Sequence, residues 1–323
     1  MTSTPSQPLN AFCVDLEEWW HICAADTPYT DPATWDAAPP FVEKDTEILM
    51  RLLDETGAKG TFLTVGWVAE KYPALIKRLA DAGHEIGCHT YYHRVVYEQT
   101  PEEFDADIGR CLKVLRDISG QPVNTFRAPG FSMKREAFAY AYPILRKHGI
   151  DIDVSIVPAA RDHGGVEGFT RDPFLLNIPT TKWGAATGGQ MKCWPVSVMD
   201  VLGRTTPFSG GGYLRLFPMP LIKSGYRQNH AAGRPGMSYI HPREIDPAQP
   251  RLKLPWKKYF KYYVGIAGCE GKLREVLRTF KFTTISETLR HVRHWPEYQL
   301  LLRGERDGDI VPGAGPQQVQ RAA

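Results

Sequence analysis

Apolar runs of strand length alternate with amphipathic helical stretches along the first half of this chain, and that alternation limits the fold more than any other feature. The strand-like runs are residues 11–15 (AFCVD), 59–65 (KGTFLTV), the start of 83–93 (GHEIGCHTYYH), 124–127 and 150–156. Between them, helical periodicity runs over 42–56 (Ile48, Leu49, Leu52 and Leu53 on one face, closed by Gly57), 67–82, 101–119 (Phe104, Ile108, Leu112, Leu115) and 135–148. Strands joined by helix-length crossovers lie parallel, so the spacing predicts an α/β fold with repeated β–α units. The residues able to do chemistry fall at the C-terminal ends of these strands: Asp15 and Glu17, His89 and His93, and Arg127. Barrels and doubly wound sheets carry their sites there, and several such ends on one rim favour a barrel. A length of 323 residues suits one large unit of this kind.

The second half is less regular. Residues 159–194 are loop-rich around one strand-like run, 174–178, and 214–232 are helical with interruptions at Pro218 and Pro220. Residues 236–241 (GMSYIH) form a last clear strand, followed by HPREID. The run SGGGYLRLFP at 209–218 allows a tight turn, a close backbone approach or an anion-holding nest; no nucleotide-binding glycine pattern is present. Residues 256–264 (WKKYFKYYV) interleave aromatic and basic side chains, and we expect them to cover the barrel rather than to face a sugar or phosphate. Helices follow at 271–280 and 284–293, the latter capped by Ser286 or Thr284. From Gly304 the composition turns to Gly, Pro, Gln and charge, and a disordered tail is expected over 304–323, as over 1–9. The resulting division is a tail to residue 9, a main unit over 10–246, an extension packed on it over 247–303, and the final tail.

A charged fraction of 23% and a net charge of +3 are ordinary for a globular protein and give no support for a nucleic-acid partner. Residues 1–10 are polar and contain proline, so neither a signal peptide nor a membrane helix is visible there. The six cysteines form no CxxC pair and are read as reduced thiols. Together these lead us to expect a cytoplasmic protein, acting on soluble precursors or at the inner membrane face.

His89 and His93, four apart, can face one metal ion. Strand alternation puts Cys13, Asp15 and Glu17 on one face and Phe12, Val14 and Leu16 on the other, so Asp15 and Glu17 can share a cavity while Glu18 points away. Acids directly after a buried strand are costly unless paired or metal-bound. A helix N-terminus collecting acids is the plainer alternative.

Asp15-Leu16-Glu17, then His89-Thr90-Tyr91-Tyr92-His93, then Arg127-Ala128-Pro129, then Tyr239-Ile240-His241 occur in an order that resembles the polysaccharide deacetylase family, also called the NodB homology domain or carbohydrate esterase family four. GGGYLRLFP and HPREIDPAQPR resemble a branch tied to bacterial exopolysaccharide loci, in which a C-terminal extension follows the barrel. The resemblance implies a distorted (β/α) barrel of about seven strands and metal-dependent removal of acetyl groups from a saccharide. It also implies site roles: Asp15 as base, Glu17, His89 and His93 as metal ligands, Arg127 orienting the base, and His241 as acid with Asp153 orienting it. Gly130 supplies a backbone N–H to the oxyanion, and Asp162, within Arg161-Asp162-His163, and Trp19 are placed toward the substrate. The chain departs from the family pattern twice. The metal carboxylate is usually an aspartate directly after the base, whereas here it is a glutamate, and Glu17 and Glu18 both remain open. Gly130 stands where an aromatic is common.

A His/His/carboxylate set suits zinc while admitting other divalent ions, and leaves positions for water and a carbonyl oxygen. The expected substrate is an N-acetylated saccharide, free or lipid-linked. Two other readings fit these residues: an allantoinase-like hydrolase of a small amide, and a catalytically silent saccharide-binding protein.

Overall fold

The computed structural model describes residues 8–23, 27–159, 164–184 and 188–313. In chain order the strands and helices are β1 (Leu9–Leu16), α1 (Val42–Thr56), β2 (Thr61–Thr64), α2 (Gly66–Lys71), α3 (Pro73–Asp81), β3 (Glu85–Cys88), α4 (Pro101–Ser119), β4 (Thr125–Phe126), α5 (Arg135–Lys147), β5 (Ile152–Asp153) and β6 (Phe174–Ile178). They continue with β7 (Gly189–Cys193), β8 (Val198–Val201), β9 (Arg204–Pro207), α6 (Gly211–Leu216), α7 (Met219–Ala231), β10 (Met237–Ile240), α8 (Trp256–Tyr263), α9 (Cys269–Thr279), β11 (Lys281–Thr283), α10 (Ile285–Arg290), β12 (Glu297–Leu302) and β13 (Gly308–Pro312).

The local chemistry explains most boundaries. Thr100 and Glu103 form a reciprocal capping box at the start of α4, behind Pro101, and Gly120 ends it in the left-handed region. Gly57 ends α1 in the same way. The helix expected over 67–82 is two helices, because Pro73 disfavours helical backbone at Tyr72 and starts a new first turn instead.

Strands β10, β1, β2, β3, β4, β5 and β7 are neighbours in that order and all parallel, the α/β arrangement expected. Beyond β7 the sheet continues through antiparallel β6 to β12 and β13, while β11 pairs with the N-terminal half of β1. Two expectations are corrected here. Residues 308–312, placed in a disordered tail, form β13 against β12, with Asp309 paired to Arg135 and Arg303. Strand β7 was not foreseen, since only Met191 and Cys193 in GQMKC are buried.

Alternation along β1 divides the core. Phe12, Val14 and Leu16 pack with the helices, whereas Ala11 and Cys13 face an inner cluster with Leu63, Ile152, Trp194, Met237 and Tyr239. Ile285 and Leu289 of α10 belong to that inner cluster, and Ile285 N–H donates to Thr61 Oγ1. The other end of the inner space, at the strand C-termini, is where the acids and histidines lie.

Candidate active site

Asp15, next to last in β1, is 2% exposed and accepts from Arg127 Nη1 at 2.6 Å. Arg127 follows β4, is wholly buried, and has its guanidinium 5.3 Å from the ring centroids of Phe131 and Tyr239. An ion pair this deep is costly to break, because either partner alone is an uncompensated charge. Register brings the two together: β1 pairs with β2 through Asp15 and Leu63, β2 with β3 through Thr64 and Cys88, and β3 with β4 through Cys88 and Phe126.

His89 directly follows β3. Its Nδ1 lies 2.7 Å from the Arg127 carbonyl oxygen. A carbonyl only accepts, so Nδ1 carries the proton and Nε2 is left with its lone pair. Burial pushes the His89 imidazolium down to about 4, keeping the ring neutral. His93 Nε2 lies 2.6 Å from Glu17 Oε2, and His89 Nε2 lies 3.9 Å from the same oxygen. The loop between the histidines is fixed by Asp107, whose carboxylate accepts from the backbone N–H groups of Tyr91 and Tyr92. Thr90 and His93 both have positive φ, at 63° and 53°.

Glu17, His89 and His93 offer ligand atoms that all lie within 4.8 Å of one another. Glu17 Oε2 is buried and has no hydrogen-bond partner of normal geometry. A buried carboxylate facing two imidazole nitrogens is the donor set of a divalent cation, so these residues fit one. Burial alone would raise the Glu17 carboxyl, yet His93, His241 and Arg243 hold it far below the usual range. Burial opposes a charge on His93, but the Glu17 carboxylate outweighs it and raises that ring to about 10. A cation bound there would displace the His93 proton. Glu18 is turned away, accepting from Phe41 N–H and Tyr72 OH, and burial raises it to about 7.

His241 follows β10, with Nε2 3.7 Å from both Asp15 Oδ2 and Glu17 Oε1. Its Nδ1 lies 3.0 Å from Glu244 Oε2, and Glu244 also accepts from His241 N–H and from Arg215. Burial works against ionisation of Glu244, but His241 and Arg215 bring its carboxyl well below the ordinary range. The triple glycine makes this packing possible, since a Cβ on Gly211 would lie 1.9 Å from Glu244 Oε2 and one on Gly210 would enter the Tyr239 ring. Of the three options for that run, it takes the close backbone approach.

These groups open into a cavity of about 510 Å³. Gly130, at φ 60°, and Phe131 line it beside Asp15. Two expected residues are elsewhere. Asp153 does not meet His241: its carboxylate accepts from Ser155 and from Tyr142 OH at 3.2 Å, and Glu244 occupies the position beside the imidazole. Trp19 is buried, donating from Nε1 to the Pro39 carbonyl and packing with Trp20 and Trp35, so it contacts the core rather than the cavity. Asp162, with Arg161 and His163, lies outside the described residues.

Sequence reasoning missed Glu244, Arg215 and Arg243, the last of which reaches Glu17 at 3.5 Å. The only signal was an acid three residues after His241. It also misjudged α8, which lines the cavity through Lys257, Lys258, Phe260 and Lys261 instead of merely covering the sheet. His21 was passed over too, although it lines the cavity and stacks on His93 with ring centroids 5.3 Å apart.

The sequence matches the polysaccharide deacetylase family over residues 32–152 and a domain of unknown function (DUF3473) over residues 154–290. It is 32% identical over 121 residues to chitin deacetylase 1 of Cryptococcus neoformans, a match covering 34% of this chain and 25% of that protein. It is 35% identical over 98 residues to a chitooligosaccharide deacetylase of Azorhizobium caulinodans, covering 30% of this chain and 45% of the relative. The chain thus spans from a quarter to under half the length of these curated relatives. The solved structure of a candidate polysaccharide deacetylase from Mycobacterium smegmatis superposes with a TM-score of 0.56 at 20% identity, covering 90% of this chain and 92% of that one, which is a likeness of fold.

Proposed function

We propose that this chain, which matches the polysaccharide deacetylase family over residues 32–152, is a metal-dependent hydrolase that removes acetyl groups, N-linked ones first, from a saccharide made by an exopolysaccharide locus. The observation that carries this reading is the convergence of ligand atoms of Glu17, His89 and His93 within 4.8 Å of one another, beside the Asp15–Arg127 pair. The resemblance of residues 210–218 and 241–251, both inside the DUF3473 match, to the exopolysaccharide-locus branch supports the exopolysaccharide assignment. In this reading residues 10–246 carry the reaction, and residues 247–303 add the outer wall of its pocket.

Glu17, His89 and His93 would hold the cation, for which zinc is the first choice. When bound, such an ion makes water acidic enough to attack and polarises a carbonyl. Asp15 takes the proton from the attacking water, and Arg127 keeps its carboxylate aimed. The backbone N–H of Gly130 donates to the developing oxyanion. His241 gives a proton to the departing amine nitrogen, and Glu244 stabilises the charged imidazole and fixes its ring. The cavity accommodates a saccharide unit with neighbours on the open side.

Acetate release from an N-acetylated oligosaccharide tests the proposal. Wild-type protein should be active, chelation should abolish activity, added zinc should restore it, and Asp15→Asn should lower the rate at least about 10³-fold. Full activity in a chelated His89→Ala/His93→Ala protein would end the metal-dependent reading.

A further inference from the structure

Residues 247–269 contain Arg251, Lys253, Lys257, Lys258 and Lys261 and no acidic residue, whereas the whole chain is nearly balanced at +3. The centre of this segment is α8, in which Tyr263 is the only buried side chain. Trp256 and Phe260, one turn apart, are 75% and 53% exposed. Leu216, at the end of α6, is 49% exposed and lines the cavity mouth together with Phe260. Large apolar side chains held in water beside one another mark an interaction surface.

We infer that α8 and the end of α6 form a docking surface for an anionic lipid membrane, with the cavity mouth facing the lipid. The charge complements an anionic leaflet, and each lysine near such a surface strengthens binding by about fivefold. Trp256, Phe260 and Leu216 favour a membrane over a soluble polyanion, because a boundary layer accepts an indole, a phenyl ring and an isobutyl group together. Among the described residues no helix is long and apolar enough to cross a membrane. The inferred contact is peripheral and rests on these side chains. Combined with the deacetylase reading, on which only this consequence rests, it assigns a substrate still attached to lipid.

Flotation of the full chain with vesicles tests the inference, using phosphatidylcholine alone and phosphatidylcholine with about 30% phosphatidylglycerol. Partitioning should favour the anionic vesicles by about tenfold or more and fall at high salt. Trp256→Ala and Lys253→Glu should each weaken partitioning about fivefold while leaving hydrolysis of a short soluble substrate unchanged. Equal partitioning into both vesicle types overturns the inference, as does variant binding equal to wild type, or binding to a soluble polyuronate without binding to vesicles. Flotation needs no turnover. An inactive chain that still partitions upholds the docking surface and ends the deacetylase reading, and an active chain that stays in solution does the reverse.

Discussion

The floor and the outer wall of the pocket are built in different ways. The floor comes from the ends of β1, β3 and β4 in one parallel sheet, with β2 between β1 and β3, so register brings Asp15, His89 and Arg127 together, and the short segments that follow β1 and β3 add Glu17 and His93. Its charges are matched at short range inside the protein, as in the Asp15–Arg127 pair at 2.6 Å. The wall comes from three segments distant in sequence: the glycine run and α6, the residues after β10, and α8. Its innermost group, Glu244, ties two of these segments together through His241 and Arg215. The floor is thus strand geometry carrying charge, and the wall is a set of tertiary contacts that shape access to it.

Three substitutions probe this contrast. The largest effect should come from the floor. Arg127→Met leaves the Asp15 carboxylate buried and uncompensated, so chemical denaturation should show a loss of about 3–5 kcal/mol. Acetate release should fall about a hundredfold or more as the base loses its aim. Wild-type stability in this variant would mean that the pair is not the floor's anchor. In the wall, Glu244→Gln should lower kcat by about tenfold to a hundredfold with little change in KM, because His241 loses its ionised partner. An unchanged kcat would remove Glu244 from that role.

The smallest effect lies where floor and wall meet through α1. Asp45 of α1 and Asp246 of the segment after β10 are neighbouring buried carboxyls, and Lys44 bridges to Asp246 at 2.9 Å. Burial, and then Asp246, push Asp45 up from 3.8 to about 8. The folded state therefore binds a proton that the unfolded state has lost between about pH 4 and pH 8, so this group lowers stability as pH rises across that window. Asp45→Asn should raise stability by about 1–3 kcal/mol at pH 8 and give no gain near pH 4. Melting curves of both proteins across this range check it; a gap independent of pH would show that Asp45 does not titrate there.

The contrast also explains what was legible in the sequence. The two histidines, the acids of β1 and Arg127 stand at the ends of apolar runs, where periodicity places them without knowledge of the fold. His241 was legible because a strand precedes it. Its partner was not, since Asp153 and Glu244 are both acids near strand ends and only packing at Gly211 selects the second. Trp19, expected toward the substrate, instead has its indole N–H taken up by Pro39. Helix α8 was ambiguous because a basic, aromatic helix has the same pattern whether it lies over a sheet or borders a cavity. Residues 308–312 were read from composition as a tail, although so short a run suffices for an edge strand once β12 supplies its partner.

The backbone between His89 and His93 has one more consequence. Thr90 and His93 occupy left-handed conformations that cost side-chain-bearing residues roughly 1–2 kcal/mol each. The N–H bonds from Tyr91 and Tyr92 to Asp107 hold them there from the moment the chain folds. An arriving ion therefore meets imidazoles that are already aimed and need not freeze a mobile loop. In the metal-dependent reading the site is preorganised for capture, and a carboxylate outside the ligand set would contribute to its affinity for a cation.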